Sequence, residues 1–219
     1  GSLLSEIGTK SIKNSGINVE KLEDTINTAH HYNGWFTAEN VQFALQAFSR
    51  SISSQKTAGW LADYSIKPHK PKRIGVILPG NIPFAGLHDL ICVLAAGNIF
   101  IGKPSSKEKK LMPLLSDILI EIEPKFKDRI EFSEGKFDRI DAIITAGSDN
   151  TSRYMQYYYG KYPNIIRKNR NSAAVLSGNE TKEEIKALGK DIFQYFGLGC
   201  RNVSKIFIPE GYKLSDFTD

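Results

Sequence analysis

The chain has 219 residues, 41% of them hydrophobic and 24% charged, as expected of a soluble globular protein with one large domain or two modest ones. Its formal charge of +5 is mild and dispersed, and no stretch reaches the roughly 18 consecutive apolar residues that a bilayer span requires. Two cysteines, Cys92 and Cys200, make no disulfide framework, which points to a reducing, cytoplasmic setting. The first residues, G-S-L-L-S-E, lack the charged, apolar and small-residue regions of a signal peptide. The densest positive cluster, K-P-H-K-P-K-R at 67–73, reads as a solvated linker broken by Pro68 and Pro71. Neither zinc-finger spacing nor an RNA-binding aromatic signature accompanies it, so no nucleic-acid partner is expected. The surplus positive charge suits an anionic cofactor or a phosphorylated substrate.

In chain order, residues 1–70 form a helical segment. Helical spacing marks 19–32 through Leu22, Ile26 and Ala29, and 40–52 through Val41, Leu45 and Phe48, with Thr37 as N-cap; a third run covers 54–64. Trp35, Phe36 and Trp60 read as packing aromatics. From Arg73 the pattern changes to short apolar strands alternating with helices. Strands are expected at 74–78, 98–101, 130–132, 142–145, 173–176 and 203–208. Helices are expected at 84–96, 107–122, 151–161 and 181–196, the last opened by the capping box Thr181 and Glu184. This alternation predicts an α/β fold, a Rossmann-type parallel sheet with helices on both faces, whose ligand crevice lies at the carboxyl ends of the strands.

Three strand ends carry unusual chemistry: Pro79, Gly80 and Asn81; Lys103 to Ser106; and Gly147 with Ser148. Asn81 sits on a tight turn, where a carboxamide can donate to a developing oxyanion or merely suit the turn. Lys103, with Ser105, Ser106 and Lys107, offers charge and donors to a ribose or phosphate, or forms an exposed turn. Gly147 and Ser148 follow a strand and precede a helix, where backbone N–H groups favour a phosphate, or make a simple capped turn. The usual G-x-G-x-x-G and G-x-x-x-x-G-K-[ST] loops are absent. His88, within an apolar helical run, reads as a partly buried structural histidine, and Cys92 as buried. No residues have metal-ligand spacing, so no metal is expected. Cys200 follows G-L-G at the junction of a helix and a strand. It is either a reactive thiol projected by the turn or a buried structural cysteine.

The runs I-G-V-I-L-P-G-N-I-P-F, I-G-K-P-S-S, I-I-T-A-G-S and G-L-G-C-R-N-V-S-K-I-F-I-P resemble the aldehyde dehydrogenase superfamily. Within it they are most similar to the acyl-CoA reductases related to the fatty-acid reductase subunit of bacterial bioluminescence. The resemblance covers Arg73 to Pro209. It implies that Cys200 is the nucleophile. It implies that Asn81 is the oxyanion-hole asparagine of a P-W-N motif, with Gly80 in place of the tryptophan. It further implies that Lys103 contacts the adenosine ribose and that Gly147 and Ser148 lie beside the pyrophosphate. Pro79, Gly80, Ser105 and Ser106 complete the cofactor-binding set. Ser105 to Lys107 replaces the acidic residue that often favours NAD, which leans toward NADP, with NAD as the alternative.

The oxidising members carry a water-activating glutamate in E-L-G-G-K; the corresponding stretch here, I-I-R-K-N-R-N-S around Arg167, has no carboxylate. The resemblance therefore implies reduction of an acyl-CoA or acyl-protein thioester to an aldehyde through a cysteine-bound acyl group. An aldehyde-oxidising dehydrogenase and a non-catalytic nucleotide-binding module are the alternatives. The expected organisation is a helical segment at 1–70, a nucleotide-binding domain at 71–199 and the start of a catalytic lobe at 200–219. The rest of that lobe is expected to be absent from this chain, which is either a fragment or an unusually short protein, and a homo-oligomer is one option for the full-length protein.

Overall fold

The computed structural model describes residues 19–65 and 69–212. Residues 1–18 of the N-terminal segment, Lys67 and Pro68 of the basic cluster, and residues 213–219 lie outside the described residues. The chain divides into two compact units, one ending at Lys168 and one beginning at Asn169. No helix among the described residues is long and apolar enough to cross a membrane.

The first unit opens with three helices, α1 (Val19–Thr28), α2 (Ala38–Ser51) and α3 (Ser54–Ala62). Thr37 caps α2 as expected, its hydroxyl accepting from the Asn40 N–H at 3.2 Å. Leu22 and Ile26 of α1 and Val41, Ala44 and Leu45 of α2 are buried at helical spacing. Phe36 is buried in the core, while Trp35 and Trp60 remain 49% and 38% exposed, Trp60 packing its ring edge-on against Tyr64 at 6.1 Å.

Five strands follow: β1 (Arg73–Ile77), β2 (Ile99–Lys103), β3 (Ile130–Phe132), β4 (Ala142–Ala146) and β5 (Asn164–Arg167). They pair in parallel in the order β3-β2-β1-β4-β5. The central residues of β1 and β2 are buried in unbroken runs, the signature of a sheet covered on both faces. The helices α4 (Leu87–Ala95), α5 (Leu111–Ile122) and α6 (Asp149–Tyr159) connect the strands. Both α4 and α5 bury their apolar stripes, Leu87, Leu90 and Val93 on one and Leu111, Leu115 and Ile118 on the other. Chain order runs outward from β1 to β3 on one side and from β4 to β5 on the other. The β1/β4 boundary is therefore the topological switch point, where an open α/β sheet leaves a crevice at its carboxyl edge.

Two helices begin later than their hydrophobic pattern suggests. Phe84 adopts φ 55°, which holds residues 84–86 out of α4. Before α5, the buried carboxylate of Glu108 accepts the N–H groups of Leu111 (2.8 Å) and Met112 (3.2 Å) and so sets the helix start at Leu111.

The second unit is a two-stranded parallel sheet, β6 (Ser172–Val175) with β7 (Val203–Phe207), joined through α7 (Lys182–Phe193). The capping box is formed: Thr181 Oγ1 accepts the Glu184 N–H at 3.2 Å, and Glu184 Oε2 accepts the Thr181 N–H at 2.8 Å. The helix ends at Phe193. A 3₁₀ turn, Gln194–Gly197, follows, in which Tyr195 and Phe196 take left-handed φ of 53° and 57°.

Candidate active site

At the carboxyl edge of the first unit, the Leu78 N–H donates to the Lys103 carbonyl at 2.9 Å, so the chain leaves the sheet at Pro79. Gly80 then lies against the turn after β2. A Cβ at that position would sit 2.7 Å from Ser105 Oγ and 2.8 Å from Ser105 Cβ, so only glycine permits this approach. The structure thus brings Pro79 and Gly80 together with Ser105, and Lys103 ends β2 opposite Ile77 of β1. Ser105 Oγ accepts the Lys107 N–H at 3.2 Å, while Ser106 is exposed. Asn81 is exposed beyond the turn. The half-buried Lys103 makes no ion pair among the described residues.

On the other side of β1, Gly147 and Ser148 follow β4. Ser148 is the N-cap of α6, its Oγ accepting the Thr151 N–H at 3.2 Å. Thr151 packs so close that a Cβ at Gly147 would lie 2.8 Å from its methyl carbon. The P-G-N and G-S turns therefore flank the switch point, with K-P-S-S after the neighbouring strand β2.

Composition gives no hint of the next two features. Asp89, in the first turn of α4 and 5% exposed, is bound by the Arg167 guanidinium through two hydrogen bonds of 2.8 and 2.7 Å. Beside it, His88 is 69% exposed on its side chain, which corrects the expectation of a partly buried histidine. Cys92 is half-buried rather than sealed, its Sγ 3.6 Å from His88 Nδ1. Burial and the nearby Asp89 push the Cys92 thiol up, against the opposing pull of Arg167, so it favours the protonated form. Asn33 is 7% exposed and donates from Nδ2 to the Gly80 carbonyl at 3.1 Å. A lone acid in an apolar run was the available signal for Asp89, whereas Asn33, before Gly34, reads only as a turn residue.

Within the second unit, Cys200 is exposed on the loop between the 3₁₀ turn and β7, so it is not the buried cysteine of the structural alternative. Asn202 braces that loop. Its Oδ1 accepts the Gly199 N–H at 2.7 Å, and its Nδ2 donates to the carbonyls of Asp191 (2.9 Å) and Gln194 (3.0 Å). These bonds satisfy carbonyls left open at the end of α7. The left-handed Tyr195 and Phe196 cost roughly 1–2 kcal/mol each, a strain held next to the thiol loop.

No protein-family model and no curated protein matches the chain. Solved structures do match it. One is a point mutant of the propionaldehyde dehydrogenase from the Clostridium phytofermentans fucose utilisation bacterial microcompartment (TM-score 0.73, 12% identity, 99% of this chain and 52% of that one). Another is the NAD+ complex of an aldehyde dehydrogenase from Bacillus cereus (TM-score 0.65, 18% identity, 98% and 54%). A third is Proline Utilization A from Corynebacterium freiburgense (TM-score 0.61, 17% identity, 99% and 23%). This chain thus spans about half of the first two and 23% of the third. At such identities the likeness establishes the fold, an aldehyde-dehydrogenase-like α/β architecture, as the sequence resemblance implied.

Proposed function

We propose that the protein to which this chain belongs reduces acyl thioesters, acyl-CoA or acyl-protein, to aldehydes through an acyl group carried on Cys200. Fold likeness supports the oxidoreductase class. The observation that carries the reductive direction is at the end of β5. The stretch 164–172 contains no carboxylate, and Asp89, the carboxylate that Arg167 of this stretch reaches, is engaged by both nitrogens of its fork. A carboxylate so engaged is a poor base for activating water, and a thioester spared from hydrolysis survives to be reduced.

In this reading the Cys200 thiolate attacks the thioester carbonyl. A C–S bond to Cys200 forms, the C–S bond to coenzyme A breaks, and the departing thiolate takes up a proton. Oxyanion donation is the role that the resemblance assigns to the Asn81 carboxamide, and the Cys200 backbone N–H is the donor adjacent to the thiolate. A bound reduced nicotinamide supplies the hydride that converts the acyl group to the aldehyde level. Collapse of the hemithioacetal on Cys200 then frees the aldehyde and restores the thiolate.

The nucleotide fits the residues present at the carboxyl edge. Lys103, a half-buried cation beside the switch point, suits a ribose or phosphate, and the turns at Pro79–Gly80, Ser105–Ser106 and Gly147–Ser148 add backbone and hydroxyl groups. Glu108 is the one acid in the turn from Lys103 to Lys110, and it is buried at 3% exposure and occupied in capping α5. With no carboxylate offered to a ribose 2′-hydroxyl there, a 2′-phosphate is tolerated, which favours NADP over NAD.

Aldehyde oxidation is the second reading, favoured by the neighbours' own names. A steady-state assay of the natural full-length protein in both directions separates the two. Reduction of an acyl-CoA with NADPH faster than oxidation of the matching aldehyde supports the proposal; the reverse order rejects it.

A further inference from the structure

We propose that Asn33 is a positioning residue for the P-G-N turn, acting through the Gly80–Asn81 peptide. The inference rests on the oxyanion role proposed above for Asn81. The Asn33 Nδ2–H donates to the Gly80 carbonyl at 3.1 Å, across 47 residues of sequence. A peptide unit is planar, so holding the Gly80 oxygen also holds the Asn81 N–H and the direction in which the chain enters Asn81.

The clamp is itself immobilised. Asn33 Oδ1 accepts the Trp35 N–H at 3.1 Å, its own N–H donates to the Ala29 carbonyl at 3.1 Å, and its carbonyl accepts the Phe36 N–H at 2.8 Å. Ala29 and Phe36, at the two ends of this loop, are each 2% exposed. Gly80 is held from a second side by Ser105, in whose space a Cβ would fall. The Lys110 ammonium over the Tyr32 ring, 5.5 Å from its centroid, ties the same loop to the start of α5. Three segments distant in sequence, 29–36, 79–81 and 103–110, thus converge to fix one peptide before Asn81 is asked to donate. Donors aimed in advance are what oxyanion stabilisation requires.

The test is Asn33→Asp, which keeps the shape and the acceptor for Trp35 and at neutral pH replaces the donated hydrogen with an anionic oxygen that repels the Gly80 carbonyl. Acylation of Cys200 by a radiolabelled acyl-CoA is expected to slow by about tenfold or more, with half-saturation changed by less than about threefold. The rate relative to the parent at the same pH is expected to recover as the pH falls and the introduced carboxyl gains a proton, a response that a packing defect would not give. Hydrogen exchange at the Asn81 amide is expected to quicken about tenfold while β1 stays protected. Unchanged acylation together with unchanged Asn81 exchange overturns the inference. If the parent protein is itself not acylated, the oxyanion reading fails, and exchange at Asn81 alone decides whether the clamp exists. Should Asn33→Asp fail to fold, Asn33→Ser, too short to reach Gly80, is measured by the same exchange readout. Faster exchange at Asn81 supports the clamp, and parental exchange rejects it.

Discussion

Arg167 grips Asp89 with both terminal guanidinium nitrogens, at 2.8 and 2.7 Å, although 78 residues separate the two in sequence. The pair fastens the first turn of α4 to the end of β5, two strands away from β1. Asp89 is nearly sealed from water while Arg167 is 39% exposed. Replacing Arg167 with methionine strands a buried charge and is expected to cost roughly 3 kcal/mol, the low end for a buried pair because the guanidinium is partly solvated. The double change Asp89→Leu with Arg167→Met is expected to recover most of that loss. Denaturant unfolding of the three variants checks both expectations.

Glu108 gives the fold a pH dependence of definite sign. Burial raises its carboxyl above the ordinary 4.5, outweighing the N–H groups of Met112, Leu111 and Lys110 that lower it. The folded state therefore holds this proton more tightly than the unfolded state does. Its contribution to stability is fully present below pH 4.5 and declines as the pH rises from there through the higher folded value. Glu108→Gln keeps an oxygen acceptor for Leu111 and removes the titration. The difference in unfolding free energy between parent and variant is expected to shift toward the variant across that window and to be constant above it.

Asn202 holds the Cys200 loop with three side-chain hydrogen bonds. Asn202→Ala is expected to cost about 3 kcal/mol at roughly 1 kcal/mol for each of the three bonds. It is also expected to quicken hydrogen exchange in the Gly199–Val203 segment. Thiol modification of Cys200 by an alkylating agent, measured alongside exchange, should change in rate because the turn that presents the sulfur is released.

Lys103 is expected to bind the nucleotide by charge. Lys103→Met should weaken NADPH binding by about tenfold or more at low salt and narrow the gap to the parent as ionic strength rises. Titration calorimetry at two salt concentrations reads this. Equal affinities at low salt would remove Lys103 from the site.

Much of the architecture was legible because short apolar runs alternating with amphipathic ones leave few alternatives to a covered parallel sheet. The strand order was not legible, since pairing is set by crossovers rather than by any local pattern. β5 escaped because it is short and half-solvated, with Ile165 53% exposed, so it lacks the buried run that marks β1 and β2. The P-G-N, K-P-S-S and G-S turns stood out because glycine, proline and polar residues cluster at strand ends. Asn33, Asp89 and Asn202 did not, because what makes each important is a partner far along the chain or a backbone carbonyl. The kink at Tyr195 and Phe196 was also hidden, since the helical pattern runs through it and neither residue favours a left-handed backbone.

The most direct measurement is the mass of the protein after brief exposure to an acyl-CoA without reduced nucleotide. The account predicts one acyl group added per chain, located on Cys200 by peptide mapping, removed by hydroxylamine, absent in Cys200→Ala, and slowed by about a hundredfold in Asn81→Ala. An unmodified Cys200 in the natural full-length protein, or an acyl group carried equally well by the Cys200→Ala variant, would contradict it.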